Sequence, residues 1–370
     1  MKVSRIAAQA GLLAMPLLLA GPADAQSSPR PNPFANAKSW AFQLKNLGTE
    51  QQAKIAASPF DLVVIDSSQF DATREIPLTK EEVERLKRKP DGSRRLVISY
   101  FSVGEAESYR YYWKPEWSRS KPSWVGKENK EWKENFLVKY WEPAWQNIVY
   151  GSPTSFVDRV LAQGFDGFYV DRADAYYYYG DTKDMRDRMA DFIVKLTTYM
   201  RKQKPDVAIL IQNAEELLDR PAYVSAIDGI AKEDLLYGIT HKEEPNKKSD
   251  VDWSSKLLID AQKAGKKIFV IEYLTRPAYV TDAKQRLDAM GFVMYTGPRG
   301  LAALHDGLGG DGPRRGPLDP TPENPSLTQG IVGKAKDKAF ELKQKAKQGI
   351  DAAKQKAKAV LKKSEPKTAQ

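Results

Sequence analysis

The chain has 370 residues, enough for one large domain or two, with a formal net charge of +10 and no cysteine. The lack of cysteine excludes disulfides and any thiol or thiolate–metal chemistry. Most of the charge, +8, lies in residues 329–370, so the nearly neutral stretch 26–328 gives no indication of nucleic-acid binding, and we expect none.

Residues 1–25 have the pattern of a secretory signal peptide. Lys2 and Arg5 precede an apolar run, and Ala23-Asp24-Ala25 follows it. We therefore expect cleavage after Ala25 and a secreted or periplasmic protein. The alternative is an N-terminal membrane anchor, but the apolar run is shorter than the ~20 residues that a membrane span needs. Residues 26–37 form a Pro- and Ser-containing leader.

Strand-like apolar runs alternate with helix-like segments between residues 38 and 305. The eight predicted strands are residues 39–44, 62–66, 96–101, 168–171, 207–213, 227–233, 268–272 and 292–296. Among the helices, one begins at Thr79 with Glu82 completing a capping box, and another covers 184–203 with apolar residues at helical spacing.

This alternation predicts an α/β fold, a closed (β/α)8 barrel of the TIM type, and 38–305 matches the ~250 residues that such barrels usually take. A doubly wound open sheet is the main alternative. It is disfavoured because no Gly-rich phosphate-binding turn follows the first strand.

The predicted strands carry polar residues at or near their ends. A closed barrel brings these ends together at one rim, where enzymes of this fold have their active sites. These residues are Asp66, Glu105, Asp171, Asn213, Glu233, Glu272 and, on the last strand, Tyr295. Asp171 is the clearest case, because it follows the apolar run 168–170 and a carboxylate is costly to bury there. For any single acid, the alternative is that it caps a helix or pairs with a nearby Lys or Arg.

The connection after the third strand, roughly 103–147, is long and rich in tryptophan, and loops of that length are usually functional. It contains six of the eight tryptophans: Trp113, Trp117, Trp124, Trp132, Trp141 and Trp145. Trp faces suit stacking on sugar rings, but we expect at least half of these to pack the loop onto the barrel instead.

Beyond the barrel, residues 306–329 form a Gly/Pro-rich linker, and 330–370 form a Lys/Ala-rich amphipathic tail. A basic helical tail of this kind is suited to weak contact with an anionic surface. Its apolar face is mostly alanine, which favours the alternative of a solvated, partly helical tail.

The residue types in the chain exclude several kinds of catalytic site. With only His241 and His305, a His-rich zinc site is excluded, and no GxSxG, Walker or dinucleotide motif is present, so we expect neither a metal site nor another cofactor. Glycoside hydrolases usually cleave the glycosidic bond with a pair of carboxyl groups that flank it in a sugar-binding cleft. Asp171 is the best nucleophile candidate by position, and spacing alone does not choose between Glu233 and Glu272 as its partner.

Several runs carry a resemblance to a known family, in order and across all eight strands. They are WAFQL, SYFSVGEAESYR, KYWEPAW, GFDGFYVDRADAY, IQNAEEL, IDGIAKEDLLY and GFVMYT. Over residues 38–305 the chain resembles the bacterial members of glycoside hydrolase family 114, the endo-α-1,4-polygalactosaminidase-like barrels. Some of those were mislabelled as cysteinyl-tRNA synthetases, but this chain has neither a HIGH-type nor a KMSKS-type signature.

The resemblance implies a (β/α)8 fold and cleavage of an α-1,4-linked galactosamine-containing polysaccharide. It implies a catalytic pair of Asp171 and Glu233, the strand-four Asp and strand-six Glu. By analogy with barrel α-galactosidases the reaction would retain configuration, with the two carboxyl groups ~5 Å apart. The residues implied to line the sugar subsite are Asp66, Tyr100, Glu105, Asp174, Asn213, Glu272 and Tyr295. Surplus carboxylates at the rim would favour a cationic amino sugar.

One departure from the family and two alternative functions remain. Ala214 follows Gln212-Asn213 where we expect glycine, and because alanine adopts positive φ only at a cost, we expect this turn to differ. One alternative is a polysaccharide-binding protein on the same barrel without turnover. The other is an acid-rimmed Mg²⁺ or Ca²⁺ site that serves another reaction.

Overall fold

The computed structural model describes residues 30–305 except 72–73 and 131. The predicted signal peptide, linker and basic tail therefore lie outside the described residues. None of the helices in the described part is both long and apolar enough to cross a membrane.

Eight parallel strands form one sheet in chain order, as the sequence predicts for a barrel. They are β1 Trp40–Gln43, β2 Leu62–Asp66, β3 Leu96–Ser102, β4 Gly167–Asp171, β5 Ala208–Gln212, β6 Gly229–Glu233, β7 Lys267–Glu272 and β8 Val293–Thr296. The first and last strands lie side by side, since the indole Nε1 of Trp40 donates to the carbonyl of Val293 at 3.0 Å. The open-sheet alternative is therefore wrong.

Helices surround the sheet and alternate with its strands. They are α1 Thr49–Ala56, α2 Lys80–Leu86, α3 Pro143–Val149, α4 Phe156–Ala162, α5 Lys183–Gln203, α6 Pro221–Ala226, α7 Lys248–Lys263 and α8 Pro277–Ala289. Short 3-10 helices cover Pro115–Ser118, Ala175–Tyr179 and Glu215–Asp219. The predicted capping box of α2 is confirmed: the Thr79 hydroxyl accepts from the backbone of Glu82, whose carboxylate accepts from the backbone of Thr79. A cap of this kind stabilises a helix by about 1 kcal/mol.

Aromatic side chains fill the barrel interior. The rings of Phe42 and Tyr169 lie 4.8 Å apart, and Trp40 contacts both Phe269 and Tyr295. At the amino end of the strands, residues that we assigned to the leader close the barrel. Asn32 Nδ2 donates to the carbonyls of Asp228 and Gly265, and the fully buried Phe34 packs edge-on against Phe269.

The connection between β3 and β4 contains its own antiparallel sheet. Its central strand Asn135–Val138 pairs with Glu105–Glu107 on one side and Val125–Glu128 on the other. Four of the six tryptophans contact one another in a continuous chain: Trp113, Trp117, Trp124 and Trp145. These rings therefore hold the insertion together, whereas Trp132 is 43% exposed. A second, smaller hairpin of Ser68–Phe70 and Glu75–Pro77 follows β2.

Candidate active site

Asp171 is the last residue of β4, and its carboxylate is half-buried at the barrel rim. The Tyr100 hydroxyl, on the neighbouring strand β3, donates to Asp171 Oδ2 at 2.7 Å. The other carboxylate oxygen accepts from the backbone N–H of Arg172 at 2.6 Å. Both oxygens are thus oriented by neighbouring donors, which a reacting carboxylate needs.

The surroundings of Asp171 hold its proton unusually tightly. Burial is the main cause that raises the pKa of Asp171 from 3.8 to about 7. The charge of Arg172 lowers this pKa, and the charge of Glu233 raises it. The hydrogen bond from Tyr100 lowers it in part. The charge of Glu233 therefore contributes to the raised pKa of Asp171.

Glu233 is the last residue of β6, and side chains from the flanking strands hold its half-buried carboxylate. The Tyr273 hydroxyl donates to Oε1 from just beyond β7, and the Gln212 amide donates to Oε2 from the end of β5. Asn213 accepts from the Glu233 backbone N–H at 3.1 Å and places its own Nδ2 3.4 Å from Oε2. Residues at the ends of the two flanking strands, β5 and β7, therefore determine the orientation of Glu233.

The backbone turns sharply where these strands end. Arg172, Asn213 and Asp234, each the residue directly after a strand, have φ of 61°, 53° and 51°. A left-handed conformation costs an L-residue about 1–2 kcal/mol, and such strain concentrates at functional sites. Ala214 is itself left-handed, with φ 60° and ψ 39°, a conformation that alanine adopts only at a cost.

Asp66 is buried in an ion-pair cluster centred on Arg110. The Arg110 guanidinium, 1% exposed, donates to both oxygens of Asp66 at 2.7 and 2.8 Å and to Glu107 at 2.6 Å, and lies 3.4 Å from Glu75. Burial raises the pKa of Asp66, although the Arg110 charge opposes that rise. Asp66 thus contacts Arg110, as the pairing alternative for a single acid predicts.

Glu105 lies three residues beyond the end of β3 and is also paired. It accepts from Arg172 Nη2 and from Asn129 Nδ2, both at 2.9 Å. The preceding Gly104 allows the close approach, since a Cβ there would lie 2.5 Å from the Arg172 carbonyl. Glu105 therefore connects the insertion to the turn after Asp171.

Asp174, three residues after Asp171, is half-buried and faces the same region. Its charge raises the pKa of Asp171, after the larger effects of burial, Arg172, Glu233 and Tyr100. Among the described residues, no hydrogen-bond donor contacts its carboxylate at bonding distance. Asp174 is thus an available acceptor beside the candidate pair.

Glu272 and Tyr295 lie beneath the rim and have no exposed surface. Glu272 accepts from the backbone N–H groups of Leu236 and Tyr237 at 2.7 and 3.3 Å, and burial raises its pKa to about 8. The Tyr295 hydroxyl accepts from the His305 backbone at 3.1 Å. Their burial does not support a substrate contact, and between the two partner candidates the geometry favours Glu233 over Glu272.

Sequence reasoning missed a set of residues that support Glu233. Arg299, on the loop after β8, forms a two-point ion pair with Asp234 at 2.6 and 3.1 Å. Its guanidinium lies 4.1 Å from the centroid of the Tyr273 ring, whose hydroxyl holds Glu233. The position of Tyr273 just after a predicted strand was a usable signal, whereas nothing in the sequence connects Arg299 to it.

The acidic residues of the rim are not arranged as metal ligands. Between residues 30 and 305, wherever the structure describes the chain, no group of three His, Asp or Glu side chains is placed to hold a metal ion.

Comparisons with known proteins identify a family model and relatives of similar sequence. A model of Glycoside-hydrolase family GH114 matches residues 21–306. An uncharacterised protein of Deinococcus radiodurans is 36% identical over 266 residues, covering 72% of this chain and 82% of that protein. An uncharacterised protein of Methanocaldococcus jannaschii is also 36% identical, covering 64% of this chain and 66% of its own length.

Two solved structures share the fold. The glycoside hydrolase domain of PelA from Pseudomonas aeruginosa aligns with a TM-score of 0.55 at 19% identity, covering 72% of this chain and 96% of that one. Aspergillus fumigatus Ega3, solved in complex with galactosamine, aligns with a TM-score of 0.51 at 17% identity, covering 73% and 94%.

Proposed function

Because this chain belongs to glycoside-hydrolase family GH114, and is therefore a glycoside hydrolase, we propose that it cleaves an α-1,4-linked galactosamine-containing polysaccharide with Asp171 and Glu233. The observation that carries the proposal is the pair itself. Two half-buried carboxyl groups end β4 and β6, interact electrostatically, and are each oriented by dedicated donors. Glycoside hydrolysis commonly uses a pair of carboxyl groups, one as nucleophile and one as acid and base, which supports the proposal.

In the proposed reaction Asp171 is the nucleophile. Its ionised carboxylate attacks the anomeric carbon, and the Tyr100 hydroxyl stabilises the carboxylate charge before attack. Glu233 protonates the departing glycosidic oxygen and then takes a proton from the water that hydrolyses the glycosyl–enzyme intermediate. Two inversions at the anomeric carbon give net retention of configuration.

The charge of the site supports an amino sugar as substrate. Asp174 and Glu233 both lie close enough to Asp171 to act on it electrostatically, and a free amine at C2 of the sugar carries a positive charge. The galactosamine bound to Ega3 is consistent with this class of substrate. Asp174, with its available acceptor oxygens, is the proposed contact for the ammonium group.

The test uses the purified full chain with partially deacetylated galactosaminogalactan as substrate. Asp171→Asn and Glu233→Gln should each lower the rate of reducing-end release by roughly a thousandfold or more. Asp191→Asn, the same chemical change on the exposed face of α5, should leave the rate unchanged. NMR of the first product should show the α-anomer.

Three outcomes decide between the possibilities. Full activity in both catalytic variants would reject the assigned pair. A β-anomer as first product would reject retention. Polymer binding without new reducing ends in the unsubstituted protein would favour the polysaccharide-binding alternative.

We also propose that the protein acts outside the cytoplasm, on the evidence of residues 1–25. Fractionation of the source cells followed by N-terminal sequencing should find the mature chain beginning at Gln26. Recovery of the chain in the cytoplasm with Met1 intact would reject export.

A further inference from the structure

Most of the exposed large apolar side chains of the described residues lie on connections that follow strands of the barrel. Four of the five are Phe70, Tyr109, Trp132 and Tyr178, which are 37–46% exposed. They lie on the connections that follow β2, β3 and β4. Single exposed apolar residues are ordinary on protein surfaces, but Phe70 and Tyr109 contact each other and form one exposed aromatic patch, which indicates a binding surface.

Phe70 and Tyr109 form a rigid pair within this group. Their ring centroids lie 5.2 Å apart at 85°, an edge-to-face contact. The Tyr109 hydroxyl donates to Glu107 at 2.7 Å, and the Arg110 guanidinium lies 5.2 and 5.4 Å from the two centroids. Two exposed rings fixed by a buried ion-pair cluster lose little conformational entropy on binding a ligand.

This pair adjoins the candidate catalytic site through Tyr100. The pKa of Tyr100 is raised well above its ordinary value by burial first, and then by the charges of Asp171, Glu107 and Tyr109. Tyr100 also lies opposite Asp66 in the register of β2 and β3, and Asp66 is bound by Arg110, the cation beside the two rings. Because the Tyr100 hydroxyl donates to Asp171, a series of direct contacts joins the candidate nucleophile to the cluster that holds the rings.

The carboxylates buried beneath the rings favour the binding of a cation. The buried cluster contains three carboxylates, Asp66, Glu75 and Glu107, against the single guanidinium of Arg110. A cationic sugar above the rings would gain from this field.

We propose that Phe70 and Tyr109 form a sugar-binding subsite adjacent to the point of cleavage, which stacks on the pyranose ring of a further amino-sugar unit of the polymer. The apolar C–H face of the sugar covers the rings, and its amine remains on the side of the acidic cluster. This inference deepens the proposed function and depends on its substrate class.

The test is binding of an α-1,4-linked galactosamine oligosaccharide to the full chain, measured by calorimetry in the Asp171→Asn background to prevent turnover. Phe70→Ala and Tyr109→Ala should each weaken binding by about five- to tenfold, the range expected for one aromatic contact. Tyr109→Phe should retain most of the affinity because it keeps the ring. Trp253→Ala removes an equally exposed ring from α7 and should change nothing.

Kinetics on the otherwise unsubstituted protein separate this proposal from the proposed function. Phe70→Ala should raise KM for the polymer by about the same factor and change kcat less than twofold. If the protein cleaves the polymer and both alanine variants keep full affinity and KM, the subsite is rejected while the proposed function stands. If the unsubstituted protein releases no reducing ends but the alanine variants still weaken binding, the proposed function fails and the subsite stands.

Discussion

Replacing Asp171 with asparagine should stabilise the fold, and the gain should grow with pH. Burial raises the pKa of Asp171 from 3.8 to about 7 in the folded protein. The folded state therefore binds this proton more tightly than the unfolded chain, so ionisation of Asp171 between these two values destabilises the protein. A shift of about three pH units, at about 1.4 kcal/mol each, corresponds to ~4 kcal/mol above pH 7.

Asparagine cannot ionise, and its side-chain oxygen can still accept from the Tyr100 hydroxyl. The assay is urea unfolding of the unsubstituted protein and of Asp171→Asn at intervals from pH 4 to pH 8. The difference in the free energy of unfolding should be close to zero at pH 4 and approach ~4 kcal/mol at pH 8. Glu272 is present in both proteins, so its own raised pKa cancels from the difference.

The matched control is Asp191→Asn, on the exposed face of α5, which should show no such growth with pH. If the stability difference between Asp171→Asn and the unsubstituted protein does not change with pH, the reasoning from burial is refuted.

Three further predictions follow from the same contacts. The kcat/KM of the unsubstituted enzyme should change with pH around 7, because Asp171 titrates there and must be ionised while Glu233 is protonated, and a flat profile between pH 5 and 8 would contradict this. Arg299→Lys should lower kcat about tenfold with little change in KM, because lysine cannot make the two-point contact with Asp234 or stack on Tyr273. The control is Arg286→Lys, on the exposed face of α8. An unchanged kcat in Arg299→Lys would exclude a role of Arg299 in positioning Tyr273 and Glu233. Arg110→Met should lower the free energy of unfolding by about 3–5 kcal/mol, measured by urea unfolding at pH 7, because three buried carboxylates lose their shared cation. Near-normal stability would show that water solvates these carboxylates when Arg110 is absent.

The barrel could be predicted from the sequence because its signals are local. Each strand is a short apolar run, and each helix repeats its apolar residues at helical spacing, so neighbouring residues alone determine where elements begin and end. The position of Asp171 and Glu233 as the last residues of β4 and β6 followed from the same runs. Even the capping box at Thr79 needs only a pair three residues apart.

The sequence by itself therefore determined the eight strands, their order and which polar residues stand at or near the strand ends. Only the tertiary structure decided which of those side chains face the cleft, because partners distant in sequence compete for them. Arg110 donates to Asp66, which lies 44 residues away in the sequence, and Tyr273 donates to Glu233, which lies 40 residues away. Glu272 ends its strand just as Glu233 does, yet it lies buried because the backbone after β6 folds over it. Such contacts depend on the packing of loops, which leaves no periodic pattern in the chain.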